Sequence, residues 1–191
     1  MRIIFIGMKG GGKTTLGKLL AEKLHIPFLD SDAYLEKMHE QEHSEALTPA
    51  EILKKYGETY FHALETKTLK HLAQEFGHTD FVLSCGGRTP LQEENQEILA
   101  GLGKIFFLQV EKAVLLQRFV AQGIPAFFPY PDNPEKSLDE LLAQRMPAYK
   151  KLAHVTIDGS KGTAEELLHT IMAELNDDDK NSWRNTYHWL L

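Results

Sequence analysis

An α/β fold, with a five-stranded parallel sheet and helices on both faces, is predicted by three features of this 191-residue sequence. Short β-branched or aromatic runs alternate with longer stretches whose apolar residues recur at helical spacing. The run 105–110, Ile-Phe-Phe-Leu-Gln-Val, is almost wholly apolar, as a strand covered on both faces must be. The first strand ends abruptly in a Gly-rich turn that opens a helix. Alternation of this kind sets strands side by side, joined by helical crossovers.

Ile3–Ile6 forms the first strand and stops at Gly7. Leu16, Leu19, Leu20 and Leu24 then mark one face of a helix. Ile26–Leu29 reads as the second strand, followed by a helix bearing Tyr34, Leu35 and Met38. Thr48-Pro49-Ala50-Glu51 is a helix start: Thr48 caps, Pro49 takes the first helical position and Glu51 closes a capping box. Gly57 ends that short helix, and a longer one runs from about Glu58 to Phe76 before Gly77. Phe81–Ser84 and 105–110 are the third and fourth strands. Ser137-Leu138-Asp139-Glu140 reads as another capping box, opening a helix that Pro147 kinks or ends. Val155–Ile157 is the fifth strand, and Thr163 with Glu166 caps the last helix.

Residues 1–175 are thus expected to form one domain. Within it, the segment 122–136 holds four prolines, Phe127, Phe128 and Tyr130, and reads as a flap. A tail, 176–191, carries Asp177-Asp178-Asp179 and then Trp183, Tyr187 and Trp189. The net charge is −6 and no Lys/Arg run occurs, which argues against a nucleic-acid partner. The single cysteine, Cys85, permits no internal disulfide. The apolar N-terminal run stops at Gly7, too short for a membrane span. The expectation is a cytoplasmic monomer acting on a small molecule, without a membrane partner.

Gly7-Met8-Lys9-Gly10-Gly11-Gly12-Lys13-Thr14 satisfies G-x-x-x-x-G-K-[ST], the P-loop pattern, without a mismatch. Its glycines let successive N–H groups turn inward onto phosphate oxygens, and the helix that follows points its positive end at the same anion. Lys13 is expected to reach the outer phosphates of ATP, and the Thr14 hydroxyl to coordinate Mg²⁺. Gly10, Gly11, Gly12, Lys13, Thr14 and Thr15 are therefore the expected nucleotide contacts. Lys9 either touches phosphate or is a plain exposed loop lysine.

Asp30-Ser31-Asp32 follows the second strand directly, and ligands of open α/β sheets lie beyond the carboxyl ends of the strands. Two carboxylates there divide the work: one holds the Mg²⁺ water shell, and the other binds or deprotonates an acceptor hydroxyl. Ser31 or Asp32 would also serve as a helix cap.

With these motifs in place, the chain resembles the shikimate kinases over about residues 1–173. The resemblance rests on the phosphate loop, on Asp30 and Asp32, and on Gly57, Glu58, Phe61 and Glu65 as a Gly-Glu…Phe-x-x-x-Glu segment. It extends to the turn Cys85-Gly86-Gly87 and to Arg145-Met146-Pro147-Ala148-Tyr149 as an Arg-x-Pro-x-Tyr element. It implies ATP-dependent phosphorylation of a hydroxyl of shikimate or a related hydroxy acid. Asp30 would act on Mg²⁺ through water, and Asp32 would hold the substrate hydroxyls. Gly86 and Gly87 would offer N–H groups to the substrate. Arg145 would bind its carboxylate, and Arg118 would lie against the adenine.

Three positions depart from the family pattern. His62 stands where an arginine follows the Phe of Phe-x-x-x-Glu, and histidine offers neither a permanent charge nor a two-pronged donor. Ile124-Pro125 stands for an Arg-Pro pair, leaving residues 123–135 without a cation. Arg88 replaces a third glycine; it projects into the pocket as substitute charge or points to solvent. The apolar flap suggests that Phe127, Phe128 and Tyr130 close over a ligand, or that they merely pack on one another. The alternatives to a shikimate kinase are a kinase of the same fold for another small acceptor, and a nucleotide-binding relative with impaired catalysis.

Overall fold

In the computed structural model, residues 1–175 are described; the predicted tail lies outside them. The two most apolar strands take the centre of the sheet. These are β1 (Arg2–Ile6) and β4 (Lys104–Gln109), paired in parallel with Phe5 opposite Phe106. Ile3, Ile4, Phe5 and Ile6 are all fully buried, so both faces of β1 are covered. β3 (Phe81–Ser84) lies on the other side of β1, β2 (Phe28–Asp30) beyond it, and β5 (Val155–Asp158) at the far edge next to β4. The order is β2-β3-β1-β4-β5. The predicted five-stranded parallel α/β sheet is what forms.

The chain leaves β1 toward one edge and β3 toward the other, so a crevice opens between their carboxyl ends. Register places Asp30 opposite Ser84 and Ser84 opposite Phe5, so the residues after β1, β2 and β3 share one rim. The crossovers are α1 (Lys13–Leu24), α2 (Ser31–His43), α3 (Pro49–Phe76), α4 (Glu93–Leu102), α5 (Lys112–Gln122), α6 (Pro134–Leu152) and α7 (Ala164–Glu174). A 3₁₀ turn, Thr89–Leu91, follows β3. α1 packs against α7, while α3, α4, the 3₁₀ turn and α6 form a second contiguous group.

The capping boxes at Thr48/Glu51 and Thr163/Glu166 both form. α3 is broken where expected. Gly57 has φ 82° and ψ 173°, left-handed territory that favours glycine. On both sides of the break, through Ile52 before it and Phe61 and Leu64 after it, α3 joins Leu35 of α2 in a small apolar cluster separate from the sheet core.

Two expectations are corrected and a third is narrowed. β2 starts at Phe28 because the Ile26 N–H donates to the Ala21 carbonyl, making 26–27 part of the turn that closes α1. α6 starts at Pro134 under an Asn133 cap, and not at Ser137. The Ser137 hydroxyl is buried and folds back on the flap, bonding both the N–H and the carbonyl of Tyr130 at 2.9 Å. Pro147 does not end α6, which continues to Leu152. Arg145 and Tyr149 on either side of it are both buried, and that packing holds the helix through the proline.

Candidate active site

The phosphate loop follows β1 as predicted. Gly12 takes φ 97° at the start of α1, a conformation that aims the following amides inward at low cost to glycine. Lys13 folds across the loop, its ammonium donating to the Gly7 carbonyl at 2.9 Å and the Met8 carbonyl at 3.0 Å. Burial lowers its pKa to about 8, against the opposing pull of Asp32. Thr15 is exposed on the first turn of α1. Arg118 reaches the outer edge of the loop, donating to the Gly10 carbonyl at 2.9 Å and the Gly159 carbonyl at 3.4 Å.

The Thr14 hydroxyl donates to Asp30 at 3.0 Å and lies 3.3 Å from the Ser84 hydroxyl. These are hard oxygens side by side at the mouth of the loop. They fit Mg²⁺, which takes few protein ligands and fills its shell with water and phosphate oxygens. Asp30 is also the cap of α2, accepting from the Asp32 N–H at 3.1 Å, so the cap is Asp30 and neither Ser31 nor Asp32. Asp32 is thereby turned into the crevice. Its pKa is raised by burial first and by the Asp30 charge second, with Lys13 and Lys9 pulling the other way. A carboxylate raised in this way suits the uptake of a proton from a hydroxyl.

The turn after β3 forms the acceptor side. A side chain at Gly86 would begin 2.4 Å from Asp32 Oδ1, so only glycine permits that approach. The Gly86 N–H donates to the Ser31 hydroxyl at 2.8 Å and is therefore not free for a substrate, as the resemblance implied it would be. Gly87 faces Arg145, whose Nη1 lies 3.3 Å from where a Gly87 side chain would begin. The Gly87 carbonyl takes the Tyr149 hydroxyl proton, tying α6 to the turn.

Arg88 turns back onto α3. Its Nη2 lies 2.8 Å from Glu58 and 3.5 Å from His62 Nε2. Its guanidinium thus lies beside His62, where the family pattern has arginine. Arg88 and Arg145 each keep a buried Nε without a hydrogen-bond partner. Such donors are costly to leave unmade and invite an anion. Behind them lies Glu65, buried, accepting from Thr89 at 2.9 Å and Gln92 at 3.1 Å. Burial pushes its pKa up to about 7.

Of the flap aromatics, Phe128 is buried on Phe119, and Tyr130 lies under the Lys136 ammonium. Phe127 alone of the three faces the crevice, with the Arg145 guanidinium 5.5 Å from its ring centre. Sequence reading missed the roles of Ser31 and Ser84. Single serines carry no spacing signal, and only the register of β2, β1 and β3 brings them to the rim. Cys85 is buried, and burial drives its thiol pKa up, so it is no nucleophile.

A sequence profile of the shikimate kinases matches residues 9–176. The chain belongs to the shikimate kinase family. That family transfers a phosphoryl group from ATP to a hydroxyl of shikimate. The shikimate kinase of Thermodesulfovibrio yellowstonii is 36% identical over 172 residues, covering 90% of this chain and 93% of that protein. The Acinetobacter baumannii enzyme is 35% identical over 170 residues, covering 89% of each. A structure of shikimate kinase from Acinetobacter baumannii in complex with shikimate superposes with a TM-score of 0.79 at 33% identity, covering 91% of this chain and 92% of that one. The enzyme from Bacteroides thetaiotaomicron superposes with a TM-score of 0.76 at 30% identity, covering 93% and 99%.

Proposed function

We propose that this chain phosphorylates shikimate itself, using Mg²⁺-ATP, and that Arg88 and Arg145 together grip the carboxylate. The observation that carries this reading is the pair of guanidinium groups, each with a buried unpartnered Nε, set around the turn after β3. One rim thus offers a phosphate cradle, a proton acceptor and an anion clamp.

Asp32 accepts the proton of the attacking hydroxyl as its oxygen bonds to the γ-phosphorus. The bond from that phosphorus to the β–γ bridging oxygen breaks, and ADP leaves with the electron pair. Lys13 neutralises charge on the outer phosphates. Its pKa, lowered by burial, rises once anionic oxygens replace the loop carbonyls around it. Gly10, Gly11 and Gly12 supply inward-facing amides, Thr15 extends the loop contacts, and Arg118 borders the base end. Thr14 and Asp30 would hold Mg²⁺, which supplies positive charge between the phosphates when bound. Gly87 and His62 line the acceptor pocket, His62 beside Arg88.

The lone, buried Cys85 suits the reducing cytoplasm. Among the described residues, no helix is long and apolar enough to cross a membrane.

The test is ADP release from Mg²⁺-ATP with a panel of hydroxy acids. Turnover with shikimate in clear excess over the others is expected. Turnover only with another acid would move the carboxylate clamp to a different acceptor. ATP binding without turnover on any acceptor would make the protein a nucleotide-binding relative.

A further inference from the structure

Phosphoryl transfer spreads negative charge over three equatorial oxygens, and an enzyme needs a cation that reaches them from the side facing the acceptor. Here the flap, residues 123–135, holds no lysine or arginine. Lys13 approaches from inside the loop, buried beneath its carbonyls. Arg88 is paired with Glu58, and Arg145 faces the Gly87 turn from α6. A cation carried on the exposed side of the loop has to come from elsewhere.

Lys9 stands on that side. It is the exposed residue at the crest of the phosphate loop, and its backbone nitrogen lies 3.5 Å from where a Gly87 side chain would begin. It therefore sits where the loop meets the acceptor turn. Its ammonium lies 5.8 Å from the centre of the Phe127 ring, the same ring that the Arg145 guanidinium approaches at 5.5 Å. Lys9, Phe127 and Arg145 thus form a row from loop through flap to acceptor helix. The Lys9 charge also acts on Asp32 and on Glu36. Among the described residues it has no carboxylate within ion-pair distance. A contact with one ring face is weak and easily exchanged for phosphate oxygens.

We infer that Lys9 is a catalytic residue: its ammonium leaves Phe127 to contact the transferring phosphoryl group, supplying from the phosphate loop the charge that the flap lacks. This rests on the kinase reading above. The apolar flap then has a complementary task, covering the site and excluding water, which strengthens the charge contact.

Lys9→Met keeps the chain length and removes the charge. With Mg²⁺-ATP and shikimate, kcat is expected to fall roughly 100-fold or more, with KM for both substrates little changed. Lys9→Arg is expected to recover most of the loss. The second readout is binding of ADP with aluminium fluoride, which imitates the transferring group. Lys9→Met should weaken it by a factor similar to the kcat loss and leave ADP alone unaffected. An unchanged kcat overturns the proposal. So does a loss expressed only in KM for shikimate, which would make Lys9 a carboxylate ligand, or an equal loss of ADP affinity, which would make it part of the loop scaffold. If the unaltered protein turns over no acceptor, the shikimate assignment fails, and the aluminium fluoride measurement still decides the role of Lys9.

Discussion

The nucleotide half of the site and the acceptor half are built from different material. Around Gly7–Thr14 the working groups are mostly main chain: amides set by glycine and the start of α1, closed by Lys13 on two loop carbonyls. Across the crevice they are side chains from distant segments, with Arg88 from the turn after β3, Arg145 from α6, and His62 and Glu58 from α3. A main-chain site tolerates few substitutions, so it keeps the family pattern residue for residue. A side-chain site can move a charge from one segment to another and keep its function. In the proposed reading, Arg88 beside His62 is such a transfer.

The comparison is broken or sharpened by four measurements. The largest effect belongs to Lys13→Ala, expected to lower turnover about 10³-fold and to weaken Mg²⁺-nucleotide binding in a titration. Retained binding would dismantle the nucleotide half. Next come Arg145→Ala and Arg88→Ala. Each removes charged hydrogen bonds worth about 1.5–3 kcal/mol, so KM for shikimate should rise roughly 10- to 100-fold while that for ATP stays put. If Arg88→Ala leaves KM unaltered, the charge has not been transferred.

The third is a pH titration of nucleotide affinity. Lys13 has its pKa lowered to about 8, so its charge is intact below that pH and lost above it. Affinity is expected to be level below about pH 8 and to fall by up to about tenfold per unit above. The smallest effect concerns stability. The pKa of Glu65 is raised to about 7, so the fold favours its protonated form. That contribution is complete below the ordinary carboxylate range and disappears as pH rises through about 7. Glu65→Gln should flatten this decline, with a difference in Tm of about 3 °C at pH 8 by calorimetry.

The fold was legible because its signals are local and periodic: β1 and β4 as apolar runs, Thr48 and Thr163 as caps, Gly57 as a break. The same local logic failed at Ser137, whose sequence neighbourhood imitates a cap while its hydroxyl answers to Tyr130 across the flap. At Pro147 it left a kink or an end open, and burial of Arg145 and Tyr149 carries α6 onward despite a missing N–H. In the site, the phosphate loop and the aspartates were readable from spacing alone. The direction taken by Arg88 was not, because nothing near it in sequence mentions Glu58 or His62. The commitment of the Gly86 amide to Ser31 was hidden for the same reason.

The break at Gly57 turns a helix without parting what it packs. Ile52 before it and Phe61 and Leu64 after it share one cluster with Leu35 of α2, while Leu69 and Leu72 further along belong to the sheet core. The molecule thus has a seam after Leu64, and Glu58, which holds Arg88, lies on the smaller side of it. Any swing of the smaller lobe would tug on that ion pair directly, so breathing at the seam would loosen the hold on Arg88.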